Sequence, residues 1–191
     1  MPEQLDGVSA TVNGKSAFVY YISPTQVNIL TPPDAILGPV QVVVNNNGVT
    51  SAPATVSSQA LSPSFFIIGA GPYVVAQHGA DNSLVGPASL YPGFTTPAKP
   101  AEIVVLYANG FGQVSPAVVS GSIMQTGTLS PLPVVTIGGI NAVVQFAGLV
   151  SPGLFQFNVV VPANAPVGDL PLSATYNGAT TTSGVLITVQ H

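Results

Sequence analysis

Three side chains could carry acid–base chemistry: the carboxylates of Asp81 and Glu102 and the imidazole of His78. His78 and Asp81 lie three residues apart, a spacing that suits a general base and the acid that orients it. Glu102 opens a predicted strand and is the candidate general acid, which together with a second facing carboxylate would hydrolyse a glycosidic bond. The structural alternative is that Asp81 belongs to a turn and that Glu102 is a solvated strand end.

Nucleophiles and metal ligands are scarce in the sequence. Cysteine is absent, and no Gly-x-Ser-x-Gly elbow presents a serine nucleophile. His78 and Asp81 alone do not complete a metal coordination sphere, and the second histidine, His191, is the last residue. We therefore expect neither a bound metal nor a cofactor.

Two aromatic residues are the candidate ligand-binding side chains. Tyr91 and Phe94 lie in a proline-rich stretch, residues 87–100, where a ring can face solvent. They would then present a platform to a carbohydrate. The structural alternative is that both rings pack this stretch onto the body of the protein.

Composition excludes several classes of function. The chain has 191 residues, of which 6 are acidic and 2 basic, and the net charge is −4. Because nucleic-acid binding needs several cations, two lysines and no arginine exclude it. The apolar runs are far shorter than the roughly 20 residues of a membrane-spanning helix, and the first seven residues do not resemble a signal peptide. Low charge with many Val, Thr, Ser, Asn and Gly residues is typical of extracellular or cell-surface β-proteins.

The positioning elements are predicted to be short β-strands separated by turns. Prolines recur too often for long helices, and Asn47-Gly48 and Asn177-Gly178 are hairpin signals. A further hairpin is predicted from residues 64–68 and 73–77. The other predicted strands are 8–12, 17–22, 26–30, 40–44, 50–56, 134–137, 142–146, 154–161, 170–176 and 185–189. Such spacing indicates an all-β sandwich or barrel.

The sequence contains an internal repeat. Gln26–Pro32 matches Gln156–Pro162 at a spacing of 130, which Asn47-Gly48 and Asn177-Gly178 share. Upstream the spacing is 125, which places five extra residues of the second copy within Ala147–Phe155. The sequence therefore predicts residues 1–60 as a partial sandwich, 61–99 as a hairpin and proline-rich connector, and 100–191 as a sandwich.

The first copy has no counterpart of the opening strand in residues 100–112. Without it, strand edges and part of an apolar face stay uncovered. The N-terminal stretch or the hairpin at 64–77 could fold back over the gap, or a second chain could pair with it. Few charges protect these edges, so we expect self-association.

The order of motifs resembles the IPT/TIG immunoglobulin-like domains and, over nearly the whole chain, the C-terminal region of uncharacterised secreted proteins of soil bacteria, abundant among acidobacteria. The resemblance rests on residues 61–66, 80–85, 97–100, 106–112 and 152–158. It implies two immunoglobulin-like β-sandwich units, the first incomplete, in an exported or surface module.

Three functions follow as expectations. The leading one is a non-enzymatic extracellular or cell-surface module for adhesion, spacing or contact with a polymer, with a polysaccharide or another surface protein as partner. The first alternative is a secreted polysaccharide hydrolase that uses carboxylates such as Glu102 and Asp81. The second is a carbohydrate-binding module that uses Tyr91 and Phe94.

Overall fold

The computed structural model describes residues 1–34 and 36–190 and is all-β, with no helix among them. Accordingly, none of these residues forms a helix long and apolar enough to cross a membrane. The chain divides into two compact units. The first comprises residues 1–60 and 118–125, and the second comprises residues 61–117 and 126–190.

The first unit consists of a sheet with the order β1-β2-β6-β7, to which β3 is added beside β2 and β8 beside β6, and a separate hairpin of β4 and β5. All of these pairings are antiparallel. The strands are β1 Gln4–Leu5, β2 Val8–Val12, β3 Lys15–Ser16, β4 Phe18–Ser23, β5 Gln26–Leu30, β6 Gly38–Asn46, β7 Val49–Thr50 and β8 Ala54–Ser58.

The second unit has one extended set of paired strands in the order β12-β11-β10-β13-β17-β16-β15-β18-β19, with β9 beside β13, β14 beside β16 and β20 beside β18. The strands are β9 Ser64–Phe65, β10 Ala76–His78, β11 Leu84–Val85, β12 Thr95–Thr96, β13 Ile103–Asn109, β14 Gly127–Thr128, β15 Val134–Ile137, β16 Ile140–Ser151, β17 Leu154–Val160, β18 Gly168–Tyr176, β19 Ala179–Thr180 and β20 Leu186–Val189.

The repeat in the sequence is a repeat of strand pairings. Val19 of β4 lies opposite Ile29 of β5. The residue 125 positions after Val19 is Val144, the residue 130 positions after Ile29 is Val159, and these two also lie opposite each other. A bulge follows in both units, at Tyr20 and at the matching position. A side-chain bond is also repeated, because the amide of Gln26 donates to Asn28 and that of Gln156 to Asn158, at 2.6 and 2.8 Å.

The five extra residues lengthen one hairpin. In the first unit the paired residues Ser23 and Gln26 are separated by only two residues. In the second unit their counterparts Gly148 and Gln156 are separated by seven, and the hairpin continues to the pair of Ser151 and Leu154. The insertion therefore lies in 149–155, inside the predicted window.

The second unit is built around a cluster of aromatic rings. The ring of Phe111 lies 4.8 Å from that of Phe157 and 5.8 Å from that of Phe155, centroid to centroid. Tyr176 packs on the same ring at 6.4 Å. Phe111 and Phe157 are fully buried, and each such ring contributes about 2–3 kcal/mol through burial.

The first unit has a smaller core because one edge of strand β5 has no neighbouring strand among the residues that the structure describes. In the second unit β17 lies between β16 and β13, and Phe157 and Val159 are 0% exposed. Within the described residues β5 pairs with β4 alone, and Val27 and Ile29, which hold the equivalent positions, are only half-buried.

Two further segments of the chain pack on the first unit, at β2 and β4 and not at the uncovered edge of β5. The N-terminal stretch folds back, since β1 pairs with β2 and the N–H of Val19 donates to the carbonyl of Pro2 at 2.8 Å. Residues 118–125 also belong to this unit. The amino group of Met1 donates to the carbonyl of Gly121, and a Cβ on Gly121 would fall 2.6 Å from Cζ of Phe18.

The predicted hairpin at 64–77 forms, and it belongs to the second unit. The N–H of Ile68 donates to the carbonyl of Tyr73 at 2.8 Å, and that of Val75 donates to Phe66 at 2.7 Å. Its two arms pair with β13 through β9 and β10. The hairpin therefore completes the second unit, whereas sequence reasoning offered it as a cover for the first.

Candidate functional site

The three candidate acid–base residues line one pocket at the edge of the second unit. The pocket has a volume of about 380 Å³. It is lined by His78, Ala80, Asp81, Ser83, Thr96, Pro97, Lys99, Glu102 and Gln190. A second pocket, of about 410 Å³ between Ser64 and Val185, has no acidic or basic side chain in its lining. The first pocket is therefore the candidate site.

Strand β13 and its neighbour β10 position the imidazole. His78 ends β10 opposite Val104 of β13. Its backbone carbonyl accepts the N–H of Asn82 at 2.9 Å, and this bond closes a turn that contains Asp81. Asn82 has a φ of 62°, a left-handed conformation that asparagine tolerates. The turn fixes His78 on the rim of the sheet, next to the first residues of β13.

The imidazole of His78 bridges a carboxylate and a hydroxyl. Its Nδ1 lies 2.9 Å from Oε1 of Glu102, and its Nε2 lies 2.9 Å from Oγ1 of Thr96. The side chains of His78 and Glu102 are 12% and 24% exposed. When Nδ1 donates its proton to Glu102, Nε2 is free to accept the hydroxyl proton of Thr96. This is the order of an acid, a base and a nucleophile.

Nε2 of His78 also faces the backbone carbonyl of Thr96, at 3.3 Å. A protonated imidazole would donate to this carbonyl, whereas a neutral one accepts from the Thr96 hydroxyl. The neutral and the protonated imidazole of His78 therefore both find hydrogen-bond partners. The same contacts suit either a structural role, in which His78 joins β10 to β12, or the role of a catalytic base.

Asp81 lies in the pocket but is not the acid that orients His78. Its Oδ1 accepts the backbone N–H of Ser83 at 2.9 Å and the Ser83 hydroxyl at 2.7 Å. These two bonds, with a smaller effect of the His78 charge, hold the pKa of Asp81 below its usual value. An ionised carboxylate cannot donate a proton, so Asp81 suits a hydrogen-bond acceptor or a base. The carboxylate on Nδ1 is that of Glu102.

The described residues contain no group of three or more His, Cys, Asp or Glu side chains placed to hold a metal ion. The cation of the pocket is Lys99. The pocket therefore combines two carboxylates, an imidazole, an ammonium group and hydroxyls, a set that hydrogen-bonds a polar ligand.

The two candidate aromatic residues lie in the segment that leads into β12, the strand that contributes Thr96 to the pocket. Phe94 is 76% and Tyr91 46% exposed, and a turn joins them through a 2.9 Å bond from the N–H of Phe94 to the carbonyl of Tyr91. Thr95 is buried and donates its hydroxyl to the carbonyl of Pro87 at 2.8 Å. Phe94 is the last residue of this turn and directly precedes β12, so it lies two residues before Thr96 of the pocket lining.

Sequence reasoning named His78, Asp81, Glu102, Tyr91 and Phe94, and it missed Thr96, Ser83 and Lys99 as parts of the site. Thr96 is far from His78 along the chain, and β12 reaches His78 only because it pairs in parallel with β11. No local motif encodes that pairing. Scans of protein-family models, curated proteins and solved structures found no match to the chain.

Replacing Asp81 with asparagine should flatten the acid limb of the stability profile. The folded-state pKa of Asp81 is lowered, so its stabilising contribution is present above the unfolded pKa of about 3.9 and disappears as pH falls through the lower folded value. Chemical denaturation of wild type and Asp81→Asn between about pH 2 and pH 7 measures the difference. Glu3→Gln, which removes an exposed carboxylate from the first unit, is the control. Equal acid limbs for wild type and Asp81→Asn would contradict the role of the Ser83 bonds.

Proposed function

We propose that this chain is a non-enzymatic module of an extracellular or cell-surface protein and that it contacts a polysaccharide through the edge of its second unit. The observation that carries this proposal is the position of Phe94, whose largely exposed ring lies in the turn directly before β12, two residues from Thr96 of the polar pocket. Aromatic side chains, phenylalanine among them, are enriched at binding interfaces relative to the rest of a protein surface.

The chemistry of the site fits a polyhydroxylated ligand. The apolar face of a sugar ring would lie on Phe94, and its hydroxyls would reach the oxygens of Asp81 and the amide of Gln190. Binding sites of this kind combine apolar contact with a few polar groups that fix the orientation. The low charge of the chain, −4 in 191 residues, suits a neutral polymer rather than a polyanion.

We also propose that both units are immunoglobulin-like sandwiches of the IPT/TIG type. The antiparallel pairings that recur at spacings of 125 and 130 support this assignment. Two units of one type in tandem suit a surface protein in which such modules act as spacers and carry contact sites.

Binding to insoluble glycans should depend on the Phe94 ring. In a pull-down with cellulose, xylan and chitin, wild type should bind at least one of these polymers. Phe94→Ala should lose most of that binding, because stacking area is removed while the fold is kept. Tyr20→Ala, which removes a ring that is 51% exposed in the first unit, should bind as wild type does.

Two results would contradict the proposal. One is equal binding by wild type and Phe94→Ala. The other is an equal loss for Phe94→Ala and Tyr20→Ala, which would mean that exposed rings stick to polymers without a site.

A second candidate function is a hydrolase acting on a polysaccharide, and the contacts of His78 with Glu102 and Thr96 favour it. Because Glu102 is engaged with the imidazole and Asp81 is held ionised, this arrangement suits ester cleavage better than glycosidic cleavage. Oγ1 of Thr96 would attack the ester carbonyl while Nε2 of His78 takes its proton and then protonates the leaving alcohol. Water would release the acid from the acyl-threonine in a second, equivalent step.

Release of acetate from acetylated xylan separates the two functions. A hydrolase predicts turnover that both His78→Gln and Thr96→Val abolish, with Phe94→Ala affecting KM more than kcat. A binding module predicts no acetate release above buffer while the polymer is still bound. Turnover that survives Thr96→Val would exclude the threonine as nucleophile.

A further inference from the structure

The outer edge of β5 is an open place for a strand, and the second unit shows what fills the equivalent place. There the N–H of Val161 donates to the carbonyl of Glu102, and the N–H of Ala101 donates to the carbonyl of Val161, both at 2.9 Å. Backbone groups alternate in direction along a strand, so those of Phe157 and Val159 also point to β13. The register puts Leu106 opposite Phe157 and Val104 opposite Val159.

The residues of the first unit that match Phe157, Val159 and Val161 at the spacing of 130 are Val27, Ile29 and Thr31. Their backbone N–H and C=O groups therefore point away from β4, toward the open edge. The contacts of β4 agree with this direction, because Val19, opposite Ile29, donates its N–H to Pro2 and not to β5. In the described part of the chain, no backbone hydrogen bond reaches these three residues from outside the β4–β5 hairpin. Exposed backbone donors and acceptors on an apolar strand are a template for another strand.

We propose that a second copy of this chain fills the place, with β5 of the two copies paired antiparallel about a two-fold axis through Asn28. Val27 of one copy then lies opposite Ile29 of the other, and the two Asn28 residues face each other. In this register the outward-pointing backbone groups of each copy meet those of the other, as an antiparallel ladder requires. The interface is isologous and closes at two chains.

The side chains of β5 fit this register. Ile29 of the second copy takes the place that Leu106 holds in the second unit, and Val27 takes the place of Val104. Leu106 and Val104 are 0% exposed, so aliphatic side chains of this size are what the equivalent place buries. Val27 and Ile29, half-buried in one copy, become covered in the pair.

Charge does not oppose the pairing, because Gln26–Leu30 contains no charged residue. Natural edge strands are protected from pairing by lysines, prolines or bulges that point outward. The bulge of this hairpin lies on β4, at Tyr20, and β5 has no bulge in its pairing with β4. The pairing is independent of the pocket around His78, which lies in the other unit.

Light scattering over a concentration series of the full chain tests this proposal. The mass of wild type should rise from one chain to two. Ile29→Pro removes an N–H that points out of the unit, so it costs no internal bond. It removes two hydrogen bonds of the pair by symmetry, and the dissociation constant should rise on the order of 30-fold or more.

The matched control is Thr55→Pro on β8, another edge strand of this unit. Thr55 of β8 is the counterpart of Leu186 of β20, whose N–H points away from β18 and donates to the carbonyl of Pro72. The N–H of Thr55 therefore points away from β6, and a proline there removes no bond to β6. Thr55→Pro should therefore dimerise as wild type does. A wild-type mass of one chain at all concentrations would overturn the proposal, as would dimerisation that Thr55→Pro abolishes and Ile29→Pro does not.

A second variant keeps the proposal testable if Ile29→Pro does not fold. Asn28→Lys places two like charges opposite each other at the two-fold axis, which should weaken the pair severalfold. The weakening should decrease at high salt, because screening reduces the repulsion. Dimerisation that is unchanged by Asn28→Lys at low salt would overturn the register.

Discussion

The pairing of β13 with β17 is the interaction on which the rest of the second unit depends. The backbone groups of β17 that face away from β16 find their hydrogen-bond partners on β13. The buried side chains of Val104 and Leu106 on β13 also become part of the core. The same strand holds β10 on its other edge, and Glu102 directly precedes it. Core and candidate site therefore share one element. The first unit repeats the pairings of β15 to β20 without this strand, and β5 keeps one edge unpaired among its described residues.

Much of the fold could be predicted because both the strand residues and the turn residues recur in the internal repeat. β2 and β5 have the predicted bounds, Val8–Val12 and Gln26–Leu30, and the Asn-Gly turns end the expected strands. The predicted strand at 50–56 is instead divided into β7 and β8, and at the interruption the Ser51 hydroxyl accepts the N–H of Val44. Residues 118–125 could not be assigned to the first unit, since their contact with Phe18 joins residues remote in the chain.

Part of the candidate site could be predicted from the sequence, and the rest depends on contacts between residues that are remote in the chain. His78, Asp81 and Glu102 stand out in the sequence because charged and titratable residues are rare in this chain. Which carboxylate meets the imidazole depends on the register of β10 against β13, and proximity in sequence favoured the wrong partner, Asp81. Thr96 enters only through the parallel pairing of β11 and β12. The polar cluster and the exposed ring of Phe94 are the basis of the proposed contact surface, and the open edge of β5 is the basis of the proposed association.

Residue-resolved hydrogen exchange tests most directly whether the two units differ by one covering strand. The measurement compares the amides of Phe157, Val159 and Val161 with those of Val27, Ile29 and Thr31, at a concentration low enough to keep the chain monomeric. Local protection follows the hydrogen bonds that must open. The first three amides should exchange only when the second unit opens, and the other three should exchange rapidly. Equal protection of the two sets in the monomer would contradict the account, because it would mean that β5 is covered within its own chain.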